Sequence, residues 1–242
     1  MGEFRHIEPQ AARHLIAGHP TWYHRIEVAP GIVTPGINDS ERTLAALELP
    51  EDLRGKTVLD IGTRDGFFAF ACERRGADVL AVDYMPVEAT GFGIAAQLLG
   101  SQVRYQRENI YNLRAETIGS FDIVLMLGLL YHLPDLVGAL STVRPLCRDR
   151  LYVESHVCDV DFPDLADKPF AHFCQGSSLN ADPTNYWAPT TRCVEAMLDE
   201  CGFSVSKTTR LGSRSICEAA ATVDSGRYYR AIALGEEVPT ID

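Results

Sequence analysis

The central part of the chain alternates short apolar runs with stretches of helical pattern. Between residues 53 and 155 the apolar runs are TVLDIG, DVLAVD, FDIVLMLG and RLYVES. Apolar strands separated by helices are typical of βαβ units, in which helices cover both faces of a parallel sheet. The pattern therefore predicts an α/β fold of the Rossmann-like, doubly wound type.

The two ends of the chain have different patterns. Residues 1–50 mix a helix-like stretch, AARHLIAG, with an aromatic cluster and several glycines and prolines, which predicts an N-terminal cap on a domain of residues 51–242. Further on, the stretch from 156 to 189 is irregular, and a loop of this length predicts a lid or a substrate wall. TRCVEAMLDECG then predicts a helix that stops at Gly202, and FSVSKTTR and RSICEAAAT predict a terminal hairpin.

Composition and charge narrow the classes of partner. Hydrophobic residues make up 46% of the 242 residues, enough for a full core, and the formal net charge is −11. An acidic chain gains nothing from counterion release, so a nucleic-acid partner is not expected. No apolar run reaches the roughly 18 residues of a membrane span. Seven cysteines without framework-like spacing, and no apolar leader, predict a cytoplasmic protein; the pattern leaves the oligomeric state open.

The turn after the first central strand reads DIGTRDG and carries the first candidate chemistry. A dinucleotide loop needs G-x-G-x-x-G, but Arg64 stands where the second glycine is expected. Asp60 would repel a diphosphate and would suit a cationic ligand, while Gly62 and Gly66 permit the tight turn. Asp83 ends the next strand, where a carboxylate can accept hydrogen bonds from ribose hydroxyls. A ribose-bearing, cationic cofactor such as S-adenosylmethionine fits these residues better than NAD; the alternative is that the acids only cap helices.

Further residues are predicted around the same cofactor. Thr63 lies within the turn, and Arg64 either covers the carboxylate of the cofactor or projects to solvent. Asn109 and Ile110, in the stretch ENIYNL, are placed to bond the adenine amino group and to cover the ring. An ordinary turn explains ENIYNL equally well.

The motifs VLDIGTRDGFFAF, AVD, FDIVLMLGLLYHL, LYVES and NYWAP, in that order, resemble class I S-adenosylmethionine-dependent methyltransferases. More narrowly, GLLYHLPDLVGAL, LYVES and NYWAP are similar to the branch that contains the tRNA wobble-uridine carboxymethyltransferase. The resemblance spans residues 53–203. It implies a seven-stranded, mostly parallel sheet with a C-terminal antiparallel hairpin, and a cofactor lying across the carboxyl ends of the first strands.

Of two functional residues of the resembled branch, one has a match in this chain and the other does not. Tyr131 matches the cofactor-contacting tyrosine of the family's L-Y-H motif, but the lysine that contacts a carboxylated cofactor has no counterpart before Leu53. Ordinary S-adenosylmethionine and a small-molecule substrate are therefore expected. Relatives of this short form resemble stand-alone enzymes of secondary metabolism, which suggests antibiotic biosynthesis.

Three side chains at strand ends are candidate catalytic groups. His132 follows the strand FDIVLMLG, and Glu154 and His156 end the strand RLYVES, so all three are expected at the carboxyl edge of the sheet. A histidine is suited to take a hydroxyl or amine proton. The alternative is that these groups only pack and bond neighbouring loops.

Aromatic residues in the cap and in the long loop are candidates for a substrate pocket, with an arginine for an acidic substrate group. These residues are Trp22, Tyr23, Arg25, Tyr186 and Trp187. Core filling, and solvent exposure for the arginine, are the alternatives. No metal site is predicted, because the pairs His156-x-Cys158 and His172-x-Cys174 lack the tighter spacing of structural zinc sites, although the nearby acids leave a divalent cation open.

The sequence thus predicts a cytoplasmic S-adenosylmethionine-dependent methyltransferase for a small molecule, with an oxygen acceptor slightly favoured over nitrogen or carbon. Methyl or carboxymethyl transfer to a tRNA wobble uridine is the enzymatic alternative. A cofactor-binding scaffold without catalysis is the alternative from another class.

Overall fold

The computed structural model describes residues 8–222. Its helices and strands in chain order are α1 (Pro9–Ala17), β1 (Glu27–Ala29), β2 (Ile32–Val33), α2 (Glu41–Leu47), β3 (Thr57–Ile61), α3 (Phe67–Glu73), β4 (Asp78–Asp83), α4 (Phe92–Leu99), β5 (Arg104–Arg107), α5 (Ala115–Ile118), β6 (Phe121–Leu127), α6 (Leu136–Val143), β7 (Cys147–His156), β8 (Ala171–Phe173), β9 (Trp187–Pro189), α7 (Thr191–Glu200), β10 (Phe203–Leu211) and β11 (Arg214–Ala221). Short 3₁₀ turns lie at Val87–Ala89, Ile110–Asn112, Leu130–His132, Arg144–Leu146 and Pro163–Leu165.

Seven strands form the main sheet in the order β10-β11-β7-β6-β3-β4-β5. β3 pairs in parallel with β4 and β6, and β4 pairs in parallel with β5. β11 runs antiparallel to both β7 and β10. The predicted Rossmann-like sheet with a C-terminal hairpin is therefore confirmed. The central strands are buried along nearly their whole length, which explains why their sequences are continuous apolar runs and not alternating ones.

The described residues form two compact units. The first runs through Leu113 and includes Phe121–Met126. The second consists of Arg114–Ser120 and the chain from Leu127 onward. The predicted boundary between a cap and a domain near residue 50 stays a prediction.

The N-terminal segment of the first unit is packed through Trp22. Its indole Nε1–H donates to the carbonyl of Ile16 at 3.1 Å, and its ring is 7% exposed. The ring also lies against Gly91, where any Cβ would collide with it. Glycine at that position therefore permits the close approach of Trp22 to the start of α4.

In the second unit, the stretch from 156 to 189 is more regular than predicted. β8 and β9 pair antiparallel, with Ala171 opposite Pro189 and Phe173 opposite Trp187. Cys158, Cys174 and Ala188, the last within β9, form a small buried cluster. The predicted irregular stretch thus contains two short strands that the sequence did not indicate, because three-residue strands separated in sequence leave no periodic signal. Its role as a lid or a substrate wall stays a prediction.

The last helix behaves as predicted. The Thr190 hydroxyl accepts a hydrogen bond from the Cys193 N–H and caps the N-terminus of α7. After Glu200 the chain reaches Gly202 with a φ of 82°, a left-handed conformation that suits glycine at the end of a helix.

Candidate functional site

The turn between β3 and α3 is built from left-handed backbone. Gly62, Arg64 and Gly66 have φ values of 80°, 52° and 92°. A Cβ at Gly66 would lie 2.5 Å from the ring of Phe70 and 2.7 Å from that of Phe92, so only glycine fits there. Arg64 takes up the same backbone region without being glycine, which stores local strain in the turn.

Asp83 is fixed by two main-chain donors. Its Oδ2 accepts the Arg64 N–H at 2.9 Å and its Oδ1 accepts the Met85 N–H at 3.0 Å. The residue is 5% exposed. Each carboxylate oxygen keeps a further lone pair, so Asp83 is oriented and still able to accept a hydrogen bond from a ligand.

Asp60 is buried at the end of β3, and its neighbours determine whether its carboxyl group is protonated. Its Oδ2 accepts the Thr63 hydroxyl at 2.7 Å. Burial raises the pKa of Asp60 to about 7, and the charge of Asp83 adds to this rise, whereas the Thr63 hydrogen bond opposes it. A cation beside Asp60 would favour its ionised form.

Asn109 and Ile110 follow β5, as predicted. The Asn109 side-chain Oδ1 accepts the Tyr111 N–H at 3.1 Å and so caps the short turn Ile110–Asn112. Asn109 is exposed and Ile110 is 6% exposed. Their contacts with an adenine stay predictions.

Asp65 is the residue of this turn that sequence reasoning missed. Its Oδ2 accepts the N–H groups of Tyr23 and His24 at 2.6 and 2.8 Å, and its Oδ1 accepts the Gly91 N–H at 2.9 Å. The side chain is 1% exposed. One carboxylate in the turn between β3 and α3 therefore holds the N-terminal segment and the start of α4. The available signal was a second acid in DIGTRDG, which had no role in the motif.

In the second unit, Glu154 belongs to an ion pair. The Arg214 guanidinium lies 3.3 Å from Glu154 Oε1 and donates to the Tyr131 hydroxyl at 2.9 Å. It also lies over the Tyr131 ring, 4.9 Å from the ring centroid. Burial raises the pKa of Glu154, and the charge of Arg214 opposes the rise. Sequence reasoning missed Arg214, because nothing in RSICEAAAT marks that arginine as different from any exposed one.

The two predicted catalytic histidines differ in their contacts. His132 Nδ1 lies 3.2 Å from the carbonyl oxygen of Thr184 and 3.0 Å from its hydroxyl. His156 is 5% exposed, and its Nε2 has no hydrogen-bond partner among residues 8–222. Burial lowers the pKa of both imidazoles. The Tyr131 ring brings them together, with centroids 4.2 Å from His132 and 6.0 Å from His156.

The predicted substrate residues lie in both units. Trp22 is buried, the main chain of Tyr23 is bound to Asp65, and Arg25 is exposed. Tyr186 is 41% exposed, and the Trp187 Nε1–H donates to the Pro134 carbonyl at 3.1 Å. Their roles toward a substrate stay predictions.

The described part of the chain has neither a membrane-spanning helix nor a cluster of metal-binding side chains. Within residues 8–222 no helix is long and apolar enough to cross a membrane. Within the same residues no group of three or more His, Cys, Asp or Glu side chains is placed to hold a metal ion.

The sheet order and the glycine turn define a class of protein, and a family comparison agrees with it. A family model described as "Methyltransferase domain" matches residues 39–207, most of the chain. The protein therefore belongs to this methyltransferase-domain family. The predicted class I methyltransferase domain is confirmed; the narrower tRNA wobble branch stays a prediction.

Individual curated relatives match a smaller part of the chain than the family model does. The chain is 36% identical over 84 residues to a ubiquinone biosynthesis O-methyltransferase of Xanthomonas euvesicatoria, which is 35% of each chain. A protein of the same name from Acinetobacter baumannii is 32% identical over 97 residues, or 40% of this chain and 41% of that one. The chain thus spans little more than a third of the length of these curated relatives.

Solved structures share the fold. The N-terminal domain of EvdMO1 with SAH bound has a TM-score of 0.66 at 16% identity, covering 90% of this chain and 98% of that one. The Burkholderia thailandensis 1,6-didemethyltoxoflavin-N1-methyltransferase, with bound 1,6-didemethyltoxoflavin and S-adenosylhomocysteine, has a TM-score of 0.57 at 18% identity, covering 92% of this chain and 94% of that one. At these identities the likeness concerns the fold alone.

Proposed function

We propose that the protein is an S-adenosylmethionine-dependent methyltransferase that acts on a small molecule. The observation that carries the proposal is the Asp83 carboxylate, which two main-chain amides hold at the end of β4 with lone pairs still available. A ribose offers two adjacent hydroxyls, and an oriented carboxylate can accept from both.

Asp60 and the glycine turn support the same cofactor. Asp60 is buried and becomes more stable as a carboxylate when a cation is near, as the sulfonium and ammonium groups of S-adenosylmethionine would be. A diphosphate would have the opposite effect, because it brings further negative charge to a buried acid. The turn also lacks the middle glycine that a pyrophosphate requires, since Arg64 occupies that place.

The candidate bases of the second unit support methyl transfer to an acceptor group that loses a proton in the reaction. Methyl transfer from a sulfonium is an in-line displacement, in which the enzyme chiefly positions the two partners. A general base helps when the acceptor is a hydroxyl or an amine. His132, Glu154 and His156 are the candidate bases, and Tyr131 is a candidate contact for cofactor or substrate. An oxygen acceptor is favoured because the curated relatives are named O-methyltransferases.

Binding experiments test the shared premise. Calorimetry should give a one-to-one complex with S-adenosylmethionine and with S-adenosylhomocysteine, and no heat with NAD. Absence of S-adenosylmethionine binding would contradict the proposal.

Turnover on two kinds of acceptor separates the alternatives. We expect methylation of members of a panel of small phenols, catechols and carboxylates, and none of a tRNA transcript, because the formal net charge of −11 opposes RNA binding. Methylation of the transcript alone would favour the wobble-uridine alternative. Cofactor binding without turnover on any acceptor would favour a scaffold. Cytoplasmic location and a role in antibiotic biosynthesis stay predictions.

A further inference from the structure

The hydrogen bonds around His132 define which of its nitrogens carries the proton. The Thr184 hydroxyl donates to Asp182 Oδ1 at 2.7 Å, and the Thr184 N–H donates to the same oxygen at 2.8 Å. The Thr184 hydroxyl has a single hydrogen. Since an ionised carboxylate only accepts, that hydrogen goes to Asp182, and the hydroxyl oxygen faces His132 with its lone pairs.

His132 Nδ1 therefore faces two acceptors. One is the Thr184 hydroxyl oxygen at 3.0 Å, and the other is the Thr184 carbonyl oxygen at 3.2 Å. Both contacts are hydrogen bonds only if Nδ1 carries the hydrogen. In the neutral imidazole, the lone pair then lies on Nε2, which is the nitrogen that can accept a proton.

The charged neighbours of His132 are compatible with a neutral ring. Burial lowers the pKa of His132, and the positive charge of Arg214 acts in the same direction. The Thr184 carbonyl and the negative charge of Asp182 oppose this lowering. The Thr184 hydrogen bonds lower the pKa of Asp182, which keeps it ionised. Among residues 8–222, no hydrogen-bond partner occupies Nε2.

The other two candidate bases lack this arrangement. Glu154 is paired with the Arg214 guanidinium at 3.3 Å, and the positive charge makes a carboxylate a weaker base. His156 Nε2 has no partner within the described chain, so no observed hydrogen bond to that nitrogen defines its tautomer. His132 alone of the three has a defined tautomer with a free basic nitrogen.

We propose that His132 is the general base through Nε2, and that Thr184 and Asp182 are positioning residues that hold its Nδ1–H tautomer. The inference rests on the proposed function. In the reaction, the acceptor O–H or N–H bond breaks and its proton binds Nε2. The acceptor's electron pair forms the new bond to the methyl carbon, while the carbon–sulfur bond breaks and its electrons return to sulfur. The products are the methylated acceptor, a neutral thioether and an imidazolium, which releases its proton to solvent.

The first test reads the tautomer directly and needs no substrate. ¹⁵N NMR of imidazole-labelled protein at neutral pH should show His132 protonated at Nδ1. The Thr184→Val variant, which removes the hydroxyl, should shift the population toward the Nε2–H form, and Thr184→Ser should retain the wild-type signal. Protonation at Nε2 in the wild type, or an unchanged signal in Thr184→Val, would overturn the positioning role.

The second test reads the rate on an acceptor identified as above. His132→Gln should lower kcat by roughly 100-fold, as expected for loss of a general base. Thr184→Val should lower kcat by roughly 10-fold with little change in KM, as expected for one lost hydrogen bond that orients the base. Asp182→Asn should move the rising limb of the pH profile to lower pH, because the charge that raises the pKa of His132 is gone.

Two matched variants control for nonspecific effects. Thr117→Val removes an exposed hydroxyl that donates to the Arg114 carbonyl, and Asp167→Asn removes an exposed carboxylate beside Lys168. Both should leave kcat and the His132 signal unchanged. Wild-type kcat in His132→Gln would refute the base role while leaving the methyltransferase proposal intact. Failure of S-adenosylmethionine binding would refute the proposed function, whereas the NMR result would still decide the tautomer.

Discussion

Asp83 and Asp65 in the first unit and Glu154 in the second unit are held by different kinds of partner. In the first unit, Asp83 and Asp65 receive hydrogen bonds from main-chain amides. In the second unit, Glu154, Tyr131 and Arg214 hold one another through their side chains. A main-chain donor is supplied by the fold whatever the residue type, whereas a side-chain partner is supplied by a particular residue elsewhere in the chain. Substitution of Asp83 should therefore have a local effect, whereas substitutions among Glu154, Tyr131 and Arg214 should have coupled effects.

The largest effect is expected at Asp83. Asp83→Ala should weaken binding of S-adenosylmethionine by roughly 10- to 100-fold, because hydrogen bonds to a charged group contribute about 1.5–3 kcal/mol. Calorimetry measures the change. Asp78→Ala, at the exposed beginning of the same strand, should bind like the wild type. Unchanged affinity in Asp83→Ala would refute the ribose contact.

The next effect tests the side-chain network of the second unit. Arg214→Met should lower the free energy of unfolding by about 1–3 kcal/mol at neutral pH, because it leaves Glu154 buried without its cation; the partial exposure of Arg214 keeps this below the cost for a fully buried pair. Adding Glu154→Gln should restore most of the loss, since the buried charge is then removed. Arg192→Met, in an exposed pair with Glu195, should have almost no effect.

The same variant has a defined pH dependence. A carboxyl group whose folded-state pKa is raised costs stability when it ionises, so stability falls as the pH rises from its unfolded to its folded pKa. Arg214 opposes the raised pKa of Glu154, and its removal should make the fall larger and extend it to higher pH. Denaturant unfolding at several pH values measures this. A parallel pH dependence in the wild type and in Arg214→Met would mean that the pair is not coupled.

The smallest effect concerns Arg64. Arg64→Gly should raise the free energy of unfolding by about 1 kcal/mol, because glycine adopts the left-handed backbone at 52° without a Cβ clash. Glu48→Gly, at a φ of 49° outside the turn, should gain a similar amount. Cofactor affinity should change by less than about fivefold, since a solvent-accessible guanidinium–carboxylate pair contributes about 0–1 kcal/mol. A larger loss in Arg64→Gly alone would place the arginine on the cofactor.

The same difference between the two kinds of partner explains what could be predicted from the sequence. β3, β4 and β6 were predictable because burial on both faces forces continuous apolar runs. Asp60 and Asp83 stand at the ends of such runs, so their positions followed from the strands. Arg214, Thr184 and Asp182 could not be found in this way. They come into contact with Glu154, Tyr131 and His132 only in the folded chain. The local hydrophobic pattern around each residue does not indicate which distant residue it will contact.

Asp65 sets a limit on how the domain can be separated from the rest of the chain. The family match begins at residue 39, yet two of the three amides bound to Asp65 belong to Tyr23 and His24. A chain cut at that boundary would retain every acid of the turn between β3 and α3 but would leave one Asp65 oxygen without both of its donors. The shortest fragment that keeps all three hydrogen bonds to Asp65 must therefore begin before residue 39, where the family match begins.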